Sequence, residues 1–189
     1  TYNGCTINGM VFLYAINETF NGCTFNQTSK NAYNVWTYGA KNVSFNQCVF
    51  NSAGKSVLVY NEGANPKTDL TVSETKFVAS EKVDGKAAIE IDTSRMAGGT
   101  TITIDDKTTA TDFAEGSNSG NTLWNDKKQT ADTNKNTTIT VADEVVYAPY
   151  VVAIGEVKYF SLTAAIAAAK NGHQVTLYEK NEKLGKKIS

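Results

Sequence analysis

Short alternating runs of apolar and polar residues dominate the first half of the chain, and four of them share one pattern. Each run begins with a large apolar residue, carries Cys or Thr at its fourth position and ends on another apolar residue. Alternation with a period of two is typical of β-strands with one buried face. The four runs are residues 2–7, 20–25, 45–50 and 72–77.

A second short run rich in β-branched and aromatic residues follows each copy, at residues 11–15, 35–38, 57–60 and 89–92. Asn, Gly, Ser and Lys fill the gaps, and these are turn residues. Copies begin 18, 25 and 27 residues apart, which indicates a fixed unit with loops of variable length. Two or three strands per unit without an intervening helix predict an all-β fold, a parallel β-helix.

Stacking of such units places equivalent residues in columns about 4.8 Å apart. We expect the small residues of the fourth position to fill a narrow interior, with the cysteines as buried free thiols. A disulfide between neighbouring units and a metal site remain as less favoured alternatives. The three predicted interior columns are Tyr2, Phe20, Phe45, Val72; Ile7, Phe25, Phe50, Phe77; and Cys5, Cys23, Cys48, Thr75.

The pattern loosens in the second half of the β-helix, which we assign to residues 1–148. Strands are predicted at residues 101–104 and 137–141. The polar segment between them, near residues 105–136, is interpreted as an irregular unit with a long loop, or as a flexible segment.

Residues 149–189 differ in kind and are predicted to form a ββαβ element. A hairpin turns at Gly155, Ser161 caps a helix that runs to about Lys170, and a strand follows at residues 175–178. We expect Leu162, Ala165, Ile166 and Ala169 to share one helix face, and Asn171-Gly172 to end the helix. The element either caps the open end of the β-helix or begins another module.

Charge and hydropathy narrow the classes of partner. The net charge is −1 without a basic stripe, so no nucleic-acid partner is expected. No apolar run reaches membrane-spanning length, so no membrane insertion is expected for this stretch. The chain begins inside a repeat, and we therefore expect flanking domains of a larger protein. No cofactor is implied.

The runs of aromatic-Asn-x-Cys-x-Phe at residues 20–26 and 45–51 resemble the pectate-lyase-like right-handed β-helix repeats of bacterial surface proteins. The segment from Ala153 to Leu177 resembles a module of large secreted proteins of gut Gram-positive bacteria. These resemblances imply a right-handed β-helix in a secreted or cell-surface, adhesin-like bacterial protein. Residues 172–187 are also similar to a strand region of flavoproteins, where Glu179 would bind a ribose, but no Gly-x-Gly-x-x-Gly precedes them.

Alternation in the second runs predicts which side chains face outward. With Val35, Val57 and Ile89 inside, the outer face carries two columns of side chains. Exposed aromatic columns are costly in water unless a partner covers them. Sugar rings are a suitable partner because their C–H faces stack on aromatic rings. The alternative is that a loop or domain covers this face, or that the in/out register is off by one. The predicted ligand-binding residues are Tyr14, Trp36, Tyr38, Tyr60, Glu90 and Asp92, in columns that also include Phe12 and Leu58.

An enzyme is the weaker hypothesis. The resemblance to pectate lyases implies a calcium-binding cluster of acidic residues with a basic residue on the same outer face. Glu90, Asp92 and Arg95 are the nearest match. We interpret the two carboxylates as residues that solubilise their strand. His173, the one histidine, is expected at the surface, and calcium ligands among Asp105, Asp106, Asp132, Asp143 and Glu144 lack regular spacing.

The preferred hypothesis is a non-catalytic, adhesin-like binding or structural module whose partners are host or dietary glycans or surface proteins. A carbohydrate-active lyase or hydrolase is the second hypothesis, and a purely structural spacer is the third. The identity of the ligand does not follow from the sequence.

Overall fold

The computed structural model describes residues 1–60, 67–93 and 99–179 in full, and residues 182–188 as backbone. Most of these residues belong to strands, and one seven-residue helix lies near the end. In chain order the described elements are β1 (Tyr2–Asn3), β2 (Thr6–Asn8), β3 (Val11–Phe12), β4 (Asn17–Asn21), β5 (Thr24–Asn26), β6 (Val35–Trp36), β7 (Asn42–Asn46), β8 (Val49–Ser52), β9 (Val57–Val59), β10 (Thr68–Ser73), β11 (Lys76–Ala79), β12 (Ile89–Ile91), β13 (Thr100–Ile104), β14 (Thr109–Thr111), β15 (Trp124–Asp126), β16 (Thr137–Val141), β17 (Glu144–Tyr147), β18 (Val152–Ile154), β19 (Val157–Tyr159), α1 (Leu162–Ala168), β20 (Val175–Glu179) and β21 (Glu182–Ile188).

The described part of the chain contains three parallel sheets, and every third strand returns to the same sheet. The first sheet has the order β1-β4-β7-β10-β13-β16-β17, the second β2-β5-β8-β11-β14 and the third β3-β6-β9-β12-β15. We call each run of three strands a unit, so that β1–β3 form the first unit and β13–β15 the fifth. The predicted all-β class is confirmed, and the arrangement is compatible with a parallel β-helix.

The repeated motif sets the register of the first two sheets, as predicted. Tyr2 pairs with Phe20, Phe20 with Phe45, and Phe45 with Val72. The second column pairs in the same way from Ile7 to Phe77. Both columns point into one apolar core, except that Tyr2 lies on an edge strand and is exposed.

The bend between the first two sheets explains the small residue at the fourth motif position. The Cys23 thiol donates to the Tyr2 carbonyl at 3.5 Å, and the Cys48 thiol to the Phe20 carbonyl at 3.4 Å. The Thr75 hydroxyl makes the equivalent bond to the Phe45 carbonyl at 3.3 Å. All three cysteines are free, Cys23 and Cys48 being buried and Cys5 half-buried. Side chains of this column therefore hydrogen-bond each unit to the one before it.

The residue before this position has a left-handed backbone, with φ of 60° at Gly4, 58° at Gly22, 55° at Gln47 and 49° at Glu74. A side chain costs about 1–2 kcal/mol in this conformation, whereas glycine adopts it freely. Gln47→Gly is therefore expected to raise the free energy of unfolding by about 1 kcal/mol, after the entropy of the unfolded glycine is subtracted. Urea denaturation measures the change.

Gly22→Gln is the matched control and should lower the free energy of unfolding by a similar amount, because nothing lies within 4 Å of the Cβ position at Gly22. A loss of stability in Gln47→Gly would contradict this account of the bend.

Outside the core, asparagines stack in ladders along the first two sheets. Asn21 Nδ2 donates to Asn3 Oδ1 at 2.8 Å, and Asn46 Nδ2 donates to Asn21 Oδ1 at 2.9 Å. Asn26 donates in the same way to Asn8, at 2.9 Å. In each bond the later unit donates to the earlier one. The side-chain amides of the motif asparagines thus hydrogen-bond to one another between units rather than capping a turn.

The polar segment near residues 105–136 completes a fifth unit: besides its long loops it contains β14 and β15, which the sequence did not predict as strands. Ile104 continues the first sheet, Thr109–Thr111 the second, and Trp124–Asp126 the third. Strand β17 then pairs antiparallel with β16 and lies at the last edge of the first sheet.

The last described elements form a separate antiparallel sheet with the order β19-β18-β20-β21. The predicted hairpin is confirmed, with Gly155 in a left-handed turn. Ser161 caps the helix as predicted, but the helix ends at Ala168 instead of near Lys170. The residues predicted to share one helix face differ in burial: Ala165 is buried, whereas Leu162 and Ile166 are exposed.

Candidate functional site

The outer face of the third sheet carries the predicted ligand-binding residues in the predicted register. Phe12 pairs with Trp36, Trp36 with Leu58, and Leu58 with Glu90. The alternate residues Val35, Val57 and Ile89 are fully buried in the core. A register error of one residue would have exchanged these two sets, so the inward and outward assignment is confirmed.

Five outward rings touch one another across the first three units, and we call them the aromatic ladder. They are Phe12, Tyr14, Trp36, Tyr38 and Tyr60. Ring centroids are 5.3 Å apart for Phe12 and Trp36, 5.2 Å for Tyr14 and Tyr38, 5.3 Å for Trp36 and Tyr60, and 6.1 Å for Tyr38 and Tyr60. Tilted and edge-to-face pairs at these distances stabilise one another and fix the orientation of the rings.

Exposure falls steeply along both outer columns from the first unit to the fourth. In one column Phe12 is 41% exposed, Leu58 2% and Glu90 0%; in the other Tyr14 is 62% exposed, Tyr60 9% and Asp92 5%. The interpretation of Glu90 and Asp92 as solubilising surface residues is therefore wrong. Loop residues contribute to this burial. Tyr33, from the loop between β5 and β6, packs with Leu58 and Tyr60, and Lys86, from the loop between β11 and β12, contacts Glu90.

Glu90 shows how the loops cover the sheet. Its Oε1 accepts the Ala87 backbone N–H at 2.9 Å, and its Oε2 lies 3.5 Å from Lys86 Nζ. Asn125 Nδ2 of the next unit lies 3.2 Å from Oε2. Burial raises the pKa of Glu90, although the Lys86 charge and these hydrogen bonds oppose the shift. The carboxylate therefore anchors the loop at residues 80–88 to the sheet.

This raised pKa predicts a pH dependence of stability. The folded state binds the Glu90 proton more tightly than the unfolded chain, whose glutamates titrate near pH 4.3. The stability contributed by this proton is complete below that pH and is lost as pH rises through the folded pKa. Urea titrations from pH 7 to pH 4 should therefore show the native chain gaining stability relative to Glu90→Gln.

Glu115→Gln is the control, because this side chain is exposed and should follow the native chain over the same range. A constant difference between the native chain and Glu90→Gln at every pH would contradict the assignment.

A cleft of about 420 Å³ opens beside the aromatic ladder. Its walls bring together three rings and three lysines that the sequence analysis did not connect. The residues that matter for its chemistry are Tyr33, Trp36, Tyr60, Lys55, Lys86 and Lys127. Lys55 Nζ lies 4.7 Å from the centroid of the Tyr33 ring, a cation–π contact. Burial, and then the charges of Glu90 and Asp92, raise the pKa of Tyr33, so its phenol stays protonated.

The lysines of the cleft gave no signal in the sequence. Lys55, Lys86 and Lys127 lie in three different units, at three different offsets from the strands of the third sheet. Lys127 Nζ lies 3.4 Å from Asp92 Oδ2. Only the fold of the loops brings these residues together.

A larger concavity of about 560 Å³ lies on the second sheet, but its chemistry is weaker. Its polar lining includes the ladder of Asn8, Asn26 and Asn51, whose amides already bond to one another at 2.8–2.9 Å. A ligand there would compete with those bonds for little gain. The cleft beside the aromatic ladder is therefore the better candidate site.

Two of the three residues considered for an enzyme lie among the described residues. Glu90 and Asp92 are buried against lysines, and Arg95 lies outside the described residues. Among residues 1–60, 67–93 and 99–179, no three His, Cys, Asp or Glu side chains are placed to hold a metal ion. His173 is exposed and its Nδ1 accepts the Lys170 backbone N–H at 3.2 Å.

The remaining acidic candidates have structural partners or face water. Asp105 Oδ1 accepts bonds from the Thr108 hydroxyl and backbone N–H, at 2.6 and 2.9 Å. Despite some burial, these bonds lower the pKa of Asp105. Asp132 forms an ion pair with Lys158, and Asp106, Asp143 and Glu144 are exposed.

The one helix of the described chain has seven residues and is too short to cross a membrane. No protein-family model matches the sequence, and neither the curated proteins nor the solved structures contain a significant match. The candidate site therefore stands on the geometry of the aromatic ladder and its cleft.

Proposed function

We propose that this chain is a non-catalytic binding module of an adhesin-like bacterial surface or secreted protein. It is built on a right-handed parallel β-helix and contacts glycans through the aromatic ladder. The observation that carries the proposal is the ladder itself, in which five touching rings line one outer face and Phe12 and Tyr14 are widely exposed. Exposed aromatic side chains that lie together are costly in water unless a partner covers them, which supports an interaction surface here.

Sugars fit this surface for a chemical reason. The C–H faces of a pyranose are apolar and stack on aromatic rings, while its hydroxyls need hydrogen-bonding groups at the edges. Trp36 and Tyr38 supply the central rings, and the phenol groups of the ladder supply the edges. Successive units repeat this chemistry at the strand spacing of about 4.8 Å, which suits an extended chain of sugars.

A surface location is supported by the resemblance of the motifs to bacterial surface repeats. The proposed partners are host or dietary glycans, with surface proteins that carry such glycans as a second source.

A glycan array tests this function directly. The native chain should bind a selective set of glycans, and the Trp36→Ala, Tyr38→Ala double variant should lose at least about tenfold in affinity for them. Phe160→Ala removes an exposed ring outside the ladder and serves as the control. Circular dichroism establishes that each variant is folded.

Unchanged binding by the double variant would refute the role of the ladder. Complete absence of binding by the folded native chain would favour the structural spacer instead.

A further inference from the structure

Three ammonium groups converge on the cleft beside the aromatic ladder. Lys55, Lys86 and Lys127 all line it, and each side chain is partly exposed. Two carboxylates of the described residues pair with these lysines: Glu90 with Lys86 at 3.5 Å, and Asp92 with Lys127 at 3.4 Å. Among the described residues, the cleft therefore has three ammonium groups against two carboxylates, although the whole chain has a net charge of −1.

The depth of these groups decides which charge a ligand meets. Glu90 and Asp92 are buried and do not line the cleft, whereas the three lysines do. Each carboxylate orients its lysine from a buried position and is not part of the surface that meets a ligand. The surface offered to a ligand is consequently cationic.

Lys55 is the lysine that a negative ligand would help most. Its described contact is the Tyr33 ring, at 4.7 Å from the centroid. Burial lowers the pKa of Lys55, and the neighbouring Lys86 and Lys127 charges lower it further against the opposing effect of Glu90. An anion placed between the three lysines would relieve this repulsion.

The indole of Trp36 adds an unused donor to the same wall. Trp36 lines the cleft, and its Nε1 is buried with no hydrogen-bond partner among the described residues. Buried donors of this kind are normally satisfied. A small movement of the ring on ligand binding would let this N–H donate to an acceptor in the cleft.

We propose that the cleft binds an acidic saccharide, one whose carboxylate or sulfate group lies between Lys55, Lys86 and Lys127 while its ring stacks on Trp36. This inference rests on the proposed function and names the class of glycan. The cation–π and ion-pair contacts hold the lysines in place before binding, which reduces the entropy lost on binding. Neutral sugars would use the rings alone and bind more weakly.

Isothermal titration calorimetry with matched ligand pairs tests the inference. One pair is a glucuronate-containing tetrasaccharide and its methyl ester, and the other is a sulfated tetrasaccharide and its desulfated form. The native chain should prefer an acidic member by about tenfold or more, the usual effect of one charge-assisted contact. The pair that shows the preference identifies carboxylate or sulfate as the acidic group.

Lys55→Gln should abolish most of this preference, so that the ratio of acidic to neutral affinity falls toward one. Lys128→Gln is the matched control, since it removes the same charge from an exposed neighbour of Lys127. Raising the salt concentration should weaken acidic binding only.

The outcomes separate the two proposals. Equal binding of acidic and neutral members, lost in the Trp36→Ala, Tyr38→Ala variant, would overturn the acidic specificity and keep the aromatic ladder. An acidic preference that persists in Lys55→Gln would place the anion elsewhere and overturn the site. Lack of binding to any member and to the glycan array would remove the proposed function itself.

Discussion

Phe50→Ala is expected to lower the free energy of unfolding by about 3–5 kcal/mol, the usual cost of removing a buried aromatic ring. Phe50 is fully buried and stacks between two neighbours of its column, with centroids 4.5 Å from Phe25 and 4.8 Å from Phe77. It also meets Phe45 of the first sheet edge-on at 5.0 Å. One substitution thus opens a cavity that three units share.

Chemical denaturation of the purified chain measures this loss. Val78→Ala is the control, because Val78 lies in the adjacent strand of the same sheet but is 38% exposed, and it should cost well under about 1 kcal/mol. A small effect of Phe50→Ala would mean that the column does not carry the core. A variant too unstable to purify can be replaced by Phe50→Leu, which should fall between the two.

Gly54→Ala is expected to cost roughly 2–5 kcal/mol, from backbone strain and overpacking together. Gly54 has a φ of 103°, and an added Cβ would lie 2.4 Å from Val83 Cγ2 and 2.9 Å from the Glu81 carbonyl oxygen. Both contacts belong to the loop of the next unit. The glycine thus allows that loop to pass directly over the bend between β8 and β9.

The variant Gly22→Ala measures the cost of backbone strain without a steric contact to another loop. Gly22 also has a positive φ, 58°, but nothing lies within 4 Å of its Cβ position. It should cost about 1 kcal/mol, the backbone term alone. Thermal unfolding of the two variants under identical conditions gives the comparison, and equal losses would show that the loop yields without cost.

The sequence predicts the first four units well because each carries the whole motif. Large residues at the first and last positions define the columns, and the small residue between them defines the bend. Trp36 and Tyr38 were placed outward correctly because their strand alternates without interruption. Local sequence patterns suffice to predict the strands where every unit places the same residue types at the same positions.

The second and third strands of the fifth unit could not be found in this way. Its third strand reads Trp124-Asn125-Asp126, and two of its three residues are polar although all three are buried. Asp126 accepts bonds from the Thr93 hydroxyl at 2.8 Å and from the Tyr147 hydroxyl at 3.2 Å. Polar residues that are buried through hydrogen bonds to residues distant in the chain leave no hydrophobic periodicity in the sequence.

The same limit applies to the candidate site. The two outer columns were predictable, but the burial of Glu90 depends on a loop that reaches back over it. The meeting of Lys55, Lys86 and Lys127 depends on three loops of different length. The positions of these loops are determined by the whole fold. The inward and outward alternation of side chains is determined within a single strand.

The asparagine ladders give the stack a direction. Because the later residue always donates to the earlier one, the amide dipoles add along the axis, and each bond polarises the next. The first unit thereby turns amide N–H groups outward. Two ladders that met through their N–H ends would set donor against donor, a mismatch that opposes head-to-head stacking of such units.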